Sequence, residues 1–285
     1  MANLKEIRNR ISSVSSTMQI TSAMKMVSAA KLKKAQDAIT AMRPYADKLT
    51  ELLQNLSATL DADSGSKFAD QREVKNVLIV AITSNRGLCG AFNSNIIKQA
   101  SHLATNYTDK NVSIVAIGKK ANDALSKEYE ILANESTVFD DLTFDNVAQI
   151  AELLMKKFEE GSVDKIELVY NKFKNAATQI VTTEQFLPIV SGTEDVNPNQ
   201  DYIFEPSKAE IVETLIPKSL KTQLFKAIRD SFASEHGARM TAMHKATDNA
   251  TELRDQLKLT YNKARQAAIT NEILEIVGGA EALNN

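Results

Sequence analysis

Apolar and polar positions fall into three regimes along the chain. Near the N-terminus, Ile7, Ile11, Val14, Met18 and Thr21 recur at steps of four and three residues, and a second stripe runs through Ile20, Met24 and Val27. Both spacings are helical periods. Residues 1–43 contain neither Gly nor Pro, and the stretch from Tyr45 to Leu60 is again free of both. Pro44 therefore permits a kink or a break in one long helix. At the other end, Lys218 to Val277 holds no Pro and a single glycine, Gly237. Met243, Ala246, Ala250, Leu253, Leu257, Thr260 and Ala264 follow alternating steps of three and four. That is a coiled-coil seam thinned by Ala and Thr, and small seam residues let two backbones approach closely. Sixty helical residues make a rod of roughly 90 Å, longer than a single globular core needs.

The middle has another rhythm. Asn76–Ser84 and Val112–Gly118 are short apolar runs ending in turn residues, and Lys165–Phe173 and Gln179–Ile189 read as further strands. Helical stretches near Ser94–Tyr107, Lys119–Lys127 and Phe144–Glu160 lie between the earlier strands. Alternating strands and helices imply a mainly parallel sheet covered on both faces. The expected architecture is α/β: a Rossmann-like domain with a long antiparallel coiled coil of N- and C-terminal helices. The segments are an N-terminal coiled-coil helix at 1–60, an α/β foot at 61–207 and a C-terminal coiled-coil helix at 208–285.

Connectivity adds geometry. Both long helices join the middle at their inner ends and so run antiparallel. The C-terminal helix then outreaches its partner by about 20 residues, roughly 30 Å, starting near Ala264. That overhang carries Ile269, Ile273, Leu274, Ile276 and Val277. Apolar residues without an intrachain partner call for a socket on another protein or a bend back.

Charge sharpens this division. The net charge of −2 makes nucleic acid an improbable general partner, but residues 1–60 carry a net +5, residues 61–207 a net −8 and residues 208–285 a net +1. A basic arm beside an acidic middle suggests an oriented partner. There is one cysteine, Cys89, so no internal disulfide forms. No run of eighteen apolar residues exists, and Met1-Ala2-Asn3-Leu4-Lys5-Glu6 has no apolar signal core. The chain is expected to stay in the compartment where it is made.

Catalytic and nucleotide-binding signatures do not assemble. The nine glycines build neither a dinucleotide fingerprint nor a P-loop, and Gly118-Lys119-Lys120 reads as a strand-to-helix turn. His236 and His244 are too far apart on one helix to share a zinc, and no H-E-x-x-H occurs. Cys89 reads as a buried structural thiol, and no G-x-S-x-G elbow is present. From the residues alone the chain is a non-catalytic shaft with a globular foot, needing no cofactor and no metal.

Three segments say more. Ile11-Ser12-Ser13-Val14 leading to Gln19-Ile20-Thr21-Ser22-Ala23-Met24-Lys25-Met26-Val27 resembles the N-terminal helix of the gamma-subunit family of F-type ATP synthases. Thr83-Ser84-Asn85-Arg86-Gly87-Leu88-Cys89-Gly90 is similar to that family's S-D-R-G-L-C-G segment, with Asn85 where Asp is usual. Ser234-Glu235-His236-Gly237-Ala238-Arg239-Met240 and Tyr261-Asn262-Lys263-Ala264-Arg265-Gln266 resemble its C-terminal signatures. The likeness runs from one terminus to the other.

The resemblance implies the central rotor shaft of a bacterial-type rotary ATP synthase. Such a shaft couples ion-driven (hydrogen-ion, for a proton-driven motor) rotation of the membrane c-ring to ATP synthesis at catalytic sites on the beta subunits. It implies alpha, beta, epsilon and delta subunits and the c-ring as partners, with no nucleic acid and no nucleotide bound directly. It places the chain at the cytoplasmic face of the bacterial inner membrane, as a peripheral component. Arg265, Gln266 and Thr270, with Lys25, Lys31, Lys33 and Lys34, match positions that meet the beta subunits. Met24, Met243, Leu253 and Leu257 belong to the coiled-coil seam. Tyr202, Phe204 and Glu205 resemble the foot loop facing the c-ring and epsilon. One cysteine leaves no room for the chloroplast thiol switch. Two other readings use the same residues: a static coiled-coil scaffold, and a small-molecule enzyme housed in the α/β middle.

Overall fold

A computed structural model describes residues 4–58, 67–68, 71–189 and 208–283. It divides into two compact units, one of residues 1–28 with 240–285 and one of residues 29–239. Each long helix contributes to both units.

In the larger unit, five strands form one sheet: β1 (Asn76–Ile82), β2 (Asn111–Ile117), β3 (Glu130–Asn134), β4 (Lys165–Phe173) and β5 (Gln179–Leu187), in the order β3-β2-β1-β4-β5. The first four are mutually parallel where they pair, and β5 joins β4 antiparallel. The crossovers are α2 (Phe92–Thr105), α3 (Lys119–Leu125) and, after a 3₁₀ turn at Ser136–Phe139, α4 (Phe144–Glu159). Thr143 caps α4, its hydroxyl accepting from the Asn146 amide, a contribution of about 1 kcal/mol.

β1 is buried on both faces, as the central strand of a covered parallel sheet must be. Leu78, Val80 and Ile82 pack with α4 residues such as Leu154 and Phe158 and with Leu220 and Leu224 of α5 (Lys208–Leu283). Val77, Ile79 and Ala81 pack with Ile96 and Ala100 of α2 and Ala121 of α3. β3 is a strand the sequence pattern did not suggest. It is five residues long, at the sheet edge, and its burial alternates with exposure at Glu130, Leu132 and Asn134, too short and too polar to stand out.

α1 (Leu4–Ala58) runs unbroken through Pro44. Proline removes one backbone bond and crowds the preceding turn at about 3 kcal/mol. The burial of Leu32, Ala35 and Ile39 before it, and of Ala46 and Leu49 after it, offsets that cost, and the helix continues. Pro217 is likewise inside α5, followed by the buried Leu220 and Leu224.

In the smaller unit the two helices run antiparallel. Thr21 lies beside Thr247, Lys25 beside His244 and Met18 beside Arg254. Leu4, Ile7, Ile11, Val14, Met18, Thr21, Lys25 and Ser28 of α1 are buried or half-buried here and form an uninterrupted heptad pattern, with Ser15, Ser22 and Met24 half-buried on its flanks. Ile20 and Val27, from the second stripe, are instead 61 % and 57 % exposed. On α5 the seam is Met243, Thr247, Ala250, Arg254, Leu257, Tyr261, Ala264 and Ala268. Leu253, expected in the seam, is 47 % exposed, and Thr260 is exposed as well. The true seam alternates four and three where the sequence reading alternates three and four. The two phases share every second position, and the opposing helix selects between them.

Candidate functional site

Where an open α/β sheet reverses its direction of winding, a crevice opens beyond the carboxyl ends of the strands, the usual place for a ligand. Here that point lies beside β1, whose crossover to β2 uses one face of the sheet while the return to β4 uses the other. The segment that follows β1 fills it. The Ser84 amide donates to Asn93 Oδ1 at 2.9 Å, and Ser84 Oγ donates to the Arg86 carbonyl at 2.6 Å. Asn93 Nδ2 donates back to Ser84 Oγ at 2.9 Å and lies 3.2 Å from Cys89 Sγ. Leu88 and Gly90 take left-handed backbone angles, φ +62° and +61°, which fold the segment into a tight knot. Burial pushes the Cys89 thiol up, and the nearby Arg239 only partly counters it. Cys89 is thus a buried, unreactive thiol.

α5 seals the knot. Arg239 pairs with Glu235 at 2.6 Å and donates to the Arg86 and Gly87 carbonyls at 3.3 and 3.2 Å. Ser234 Oγ donates to the Asn171 carbonyl at 2.9 Å, and Asn171 Nδ2 donates to the Phe92 carbonyl at 3.2 Å. A side chain at Gly237 would come within 3.2 Å of the Ala176 backbone, so the helix approaches closely there. Burial raises the Glu235 carboxyl, and the attraction of Arg239 does not fully compensate. The two signature segments, separated by some 150 residues, thus form one lock. Sequence reasoning found each segment and not their union.

Asn85 fits the same knot. Its Oδ1 accepts from the Lys119 amide at the start of α3, and its Nδ2 donates to the Ser136 carbonyl, both at 2.9 Å. A carboxylate could accept the first bond and could not donate the second. Among the described residues no group of three or more His, Cys, Asp or Glu side chains is placed to hold a metal.

The smaller unit supplies the other candidate. Continuing its register, Leu4 faces the level of Ala264. Beyond the half-buried Ala268, residues 269–283 have no facing residue among those described in α1, a length of roughly 22 Å. Every residue from 271 to 280 is exposed, as are Arg265, Gln266 and Thr270. Ile269, Ile273, Leu274, Ile276 and Val277 are 48–65 % exposed. Thr270 Oγ1 donates to the Gln266 carbonyl within the helix at 2.9 Å. Of the other predicted contacts, Lys25 is half-buried and its ammonium lies 3.3 Å from the exposed His244, while Lys31, Lys33 and Lys34 are exposed on α1. Met24 is half-buried, Met243 buried and Leu257 half-buried. Tyr202, Phe204 and Glu205 lie outside the described residues.

The family model described as ATP synthase matches residues 3–283. The chain is 76 % identical to the ATP synthase gamma chain of Flavobacterium psychrophilum, over 99 % of both chains. The chain belongs to the ATP synthase gamma chain family. It is also 75 % identical to the gamma chain of Flavobacterium johnsoniae over the whole of both. A solved central stalk with c-ring from the Tetrahymena thermophila mitochondrial ATP synthase shares 25 % identity and a TM-score of 0.60, covering 80 % of this chain and 99 % of that one. A chain of the Euglena gracilis mitochondrial ATP synthase shares the fold, with 22 % identity and a TM-score of 0.70 over 98 % of this chain and 94 % of that one. Members of this family are the central-stalk, rotor subunit of the F-type ATP synthase and a non-catalytic part of that complex. They serve ATP synthesis and ion transport as components of a membrane-associated assembly. No described helix is long and apolar enough to cross a membrane.

Proposed function

We propose that this chain is the shaft that carries ion-driven rotation of a membrane c-ring to the catalytic beta subunits, with alpha and beta subunits around its coiled coil and epsilon and delta completing its partners. The observation that carries the reading is the overhang: α5 continues past the start of α1 with an exposed apolar tip and with Arg265, Gln266 and Thr270 at its base. Arg265 and Gln266 bond a beta subunit in one rotary state only. Arginine offers a rigid fork of donors suited to a carboxylate or to backbone carbonyls. A charge-assisted bond contributes about 1.5–3 kcal/mol, about ten- to a hundred-and-fifty-fold in an equilibrium. Only a contact that differs between states can bias one against another. Lys25, Lys31, Lys33 and Lys34 supply positive charge for acidic loops of the same subunits, and Tyr202, Phe204 and Glu205 face the c-ring and epsilon. The chain works at the cytoplasmic face of the bacterial inner membrane.

The test is the Arg265→Ala, Gln266→Ala double variant in the reconstituted complex. Assembly should be unchanged and ATPase turnover lower, with Arg265→Lys recovering part. Turnover equal to that of the unaltered complex, at equal assembly, refutes the contact.

A further inference from the structure

We propose that a polar cluster sets the register of α1 against α5 in the smaller unit, and through it the length of the overhang. The cluster sits mid-seam. Thr21, buried at 9 % exposure, brings its hydroxyl to 2.8 Å from that of Thr247. Each hydroxyl also reaches a carbonyl of its own helix, Thr21 the Met18 carbonyl at 3.1 Å and Thr247 the Met243 carbonyl at 2.8 Å. Two hydroxyl protons serve these three contacts. One threonine therefore donates across the seam while the other donates to its own helix, and the pair forms a directed chain. Lys25 occupies the next heptad position of α1, and its ammonium lies 3.3 Å from His244 Nδ1. His244 is itself 3.4 Å from Asp248. On the other side of Thr21, Arg254 crosses to Met18 Sδ at 3.4 Å.

The apolar seam around this cluster discriminates poorly between registers. Its α5 side includes Ala250, Leu257, Ala264 and Ala268, so sliding the helices by one heptad exchanges one small or aliphatic contact for another. Such a slide moves the overhang by about 10 Å. In one direction it sets Thr21 opposite Met240 and Thr247 opposite Val14. In the other it sets Thr21 opposite Arg254 and Thr247 opposite Ser28. Neither slide lets the two threonines meet, and each moves Lys25 away from His244. A polar group at a seam position commonly specifies register in coiled coils. Thr21 and Thr247 are thus positioning residues: they fix where along the shaft Arg265 and Gln266 stand.

The test reads register directly, in the full chain assembled with its partners. The native register places Ile11 beside Leu257. Reporter pairs are Ile11→Cys with Leu257→Cys for that register, and Ile11→Cys with Ala250→Cys or with Ala264→Cys for a slide of one heptad either way. With both threonines present, oxidation should join only the first pair. In the Thr21→Val, Thr247→Val background, one of the off-register pairs should rise at least tenfold in yield. Thr21→Ser with Thr247→Ser keeps both hydroxyls and should keep the native pattern. Off-register yields unchanged in the valine background overturn the proposal, and so does slippage in the serine background. If the double valine chain does not assemble, Thr247→Val alone carries the same test.

Discussion

His236 should make the larger unit sensitive to acid, and the size of the effect follows from its surroundings. The imidazole is 5 % exposed and meets the Phe232 ring edge-on, with centroids 4.5 Å apart. Neither ring nitrogen has a hydrogen-bond partner. Burial, reinforced by the charges of Arg239 and Lys31, lowers its pKa from 6.5 to about 4. Because the folded value lies below the unfolded one, the neutral ring's contribution is complete above about pH 6.5. It is lost as the pH falls from there toward about 4. At about 1.4 kcal/mol per pH unit, the whole effect is about 3 kcal/mol, of which about 2 kcal/mol is gone by pH 5. His236→Gln keeps a buried polar side chain of similar size and removes the titration. Urea unfolding followed by tyrosine fluorescence suits a chain without Trp, since Tyr170 is in the core. Between pH 7 and pH 5 the parent should lose about 2 kcal/mol more than the variant, about 1 M in midpoint at a slope of about 2 kcal/mol/M. Asp230 and Glu235, whose carboxyls burial raises, act oppositely: their contributions are present at low pH and lost as it rises. They are common to both proteins and cancel in the difference. Equal pH dependence of the two midpoints would show that the ring is not held neutral by burial, and the reasoning would fail.

Other outcomes follow from the same geometry. Arg239→Ala strands the buried Glu235 carboxylate and should destabilise the larger unit by about 3–5 kcal/mol, with Glu235→Gln restoring part in the double variant, as chemical denaturation would register. Gly118→Ala drives a methyl into the Thr83 carbonyl oxygen at φ +113°, and a loss above about 2 kcal/mol in the same assay is expected. Asn85→Asp loses the donor to the Ser136 carbonyl and should cost about 1 kcal/mol; an unchanged midpoint would argue against that bond. In hydrogen exchange on the free chain, amides of residues 271–280 should exchange fastest among those described in α5, and protection there equal to that of residues 220–230 would contradict an unpartnered tip.

Local pattern by itself determined the elements of this protein. A strict heptad in α1, the Gly- and Pro-poor run of α5 and the apolar blocks of β1, β2 and β4 are all written in nearest-neighbour periodicity. Helix lengths then imply an overhang beginning near Ala264. The terminal signature segments also identify the family without any coordinates, because long motifs are themselves local strings. Tertiary structure decided whatever depends on which surfaces meet. Periodicity on α5 fits two seam phases equally well, and only the facing Met18 and Thr21 select Arg254 and Thr247 over Leu253 and Ala246. β3 is a strand because β2 offers it a ladder, not because EILAN is strongly strand-forming. The lock between Arg239, Glu235 and the Arg86–Gly87 carbonyls joins positions some 150 residues apart. No spacing rule links such positions; the sheet brings the end of β1 to the flank of α5, and a buried guanidinium then pairs with the acceptors it finds there.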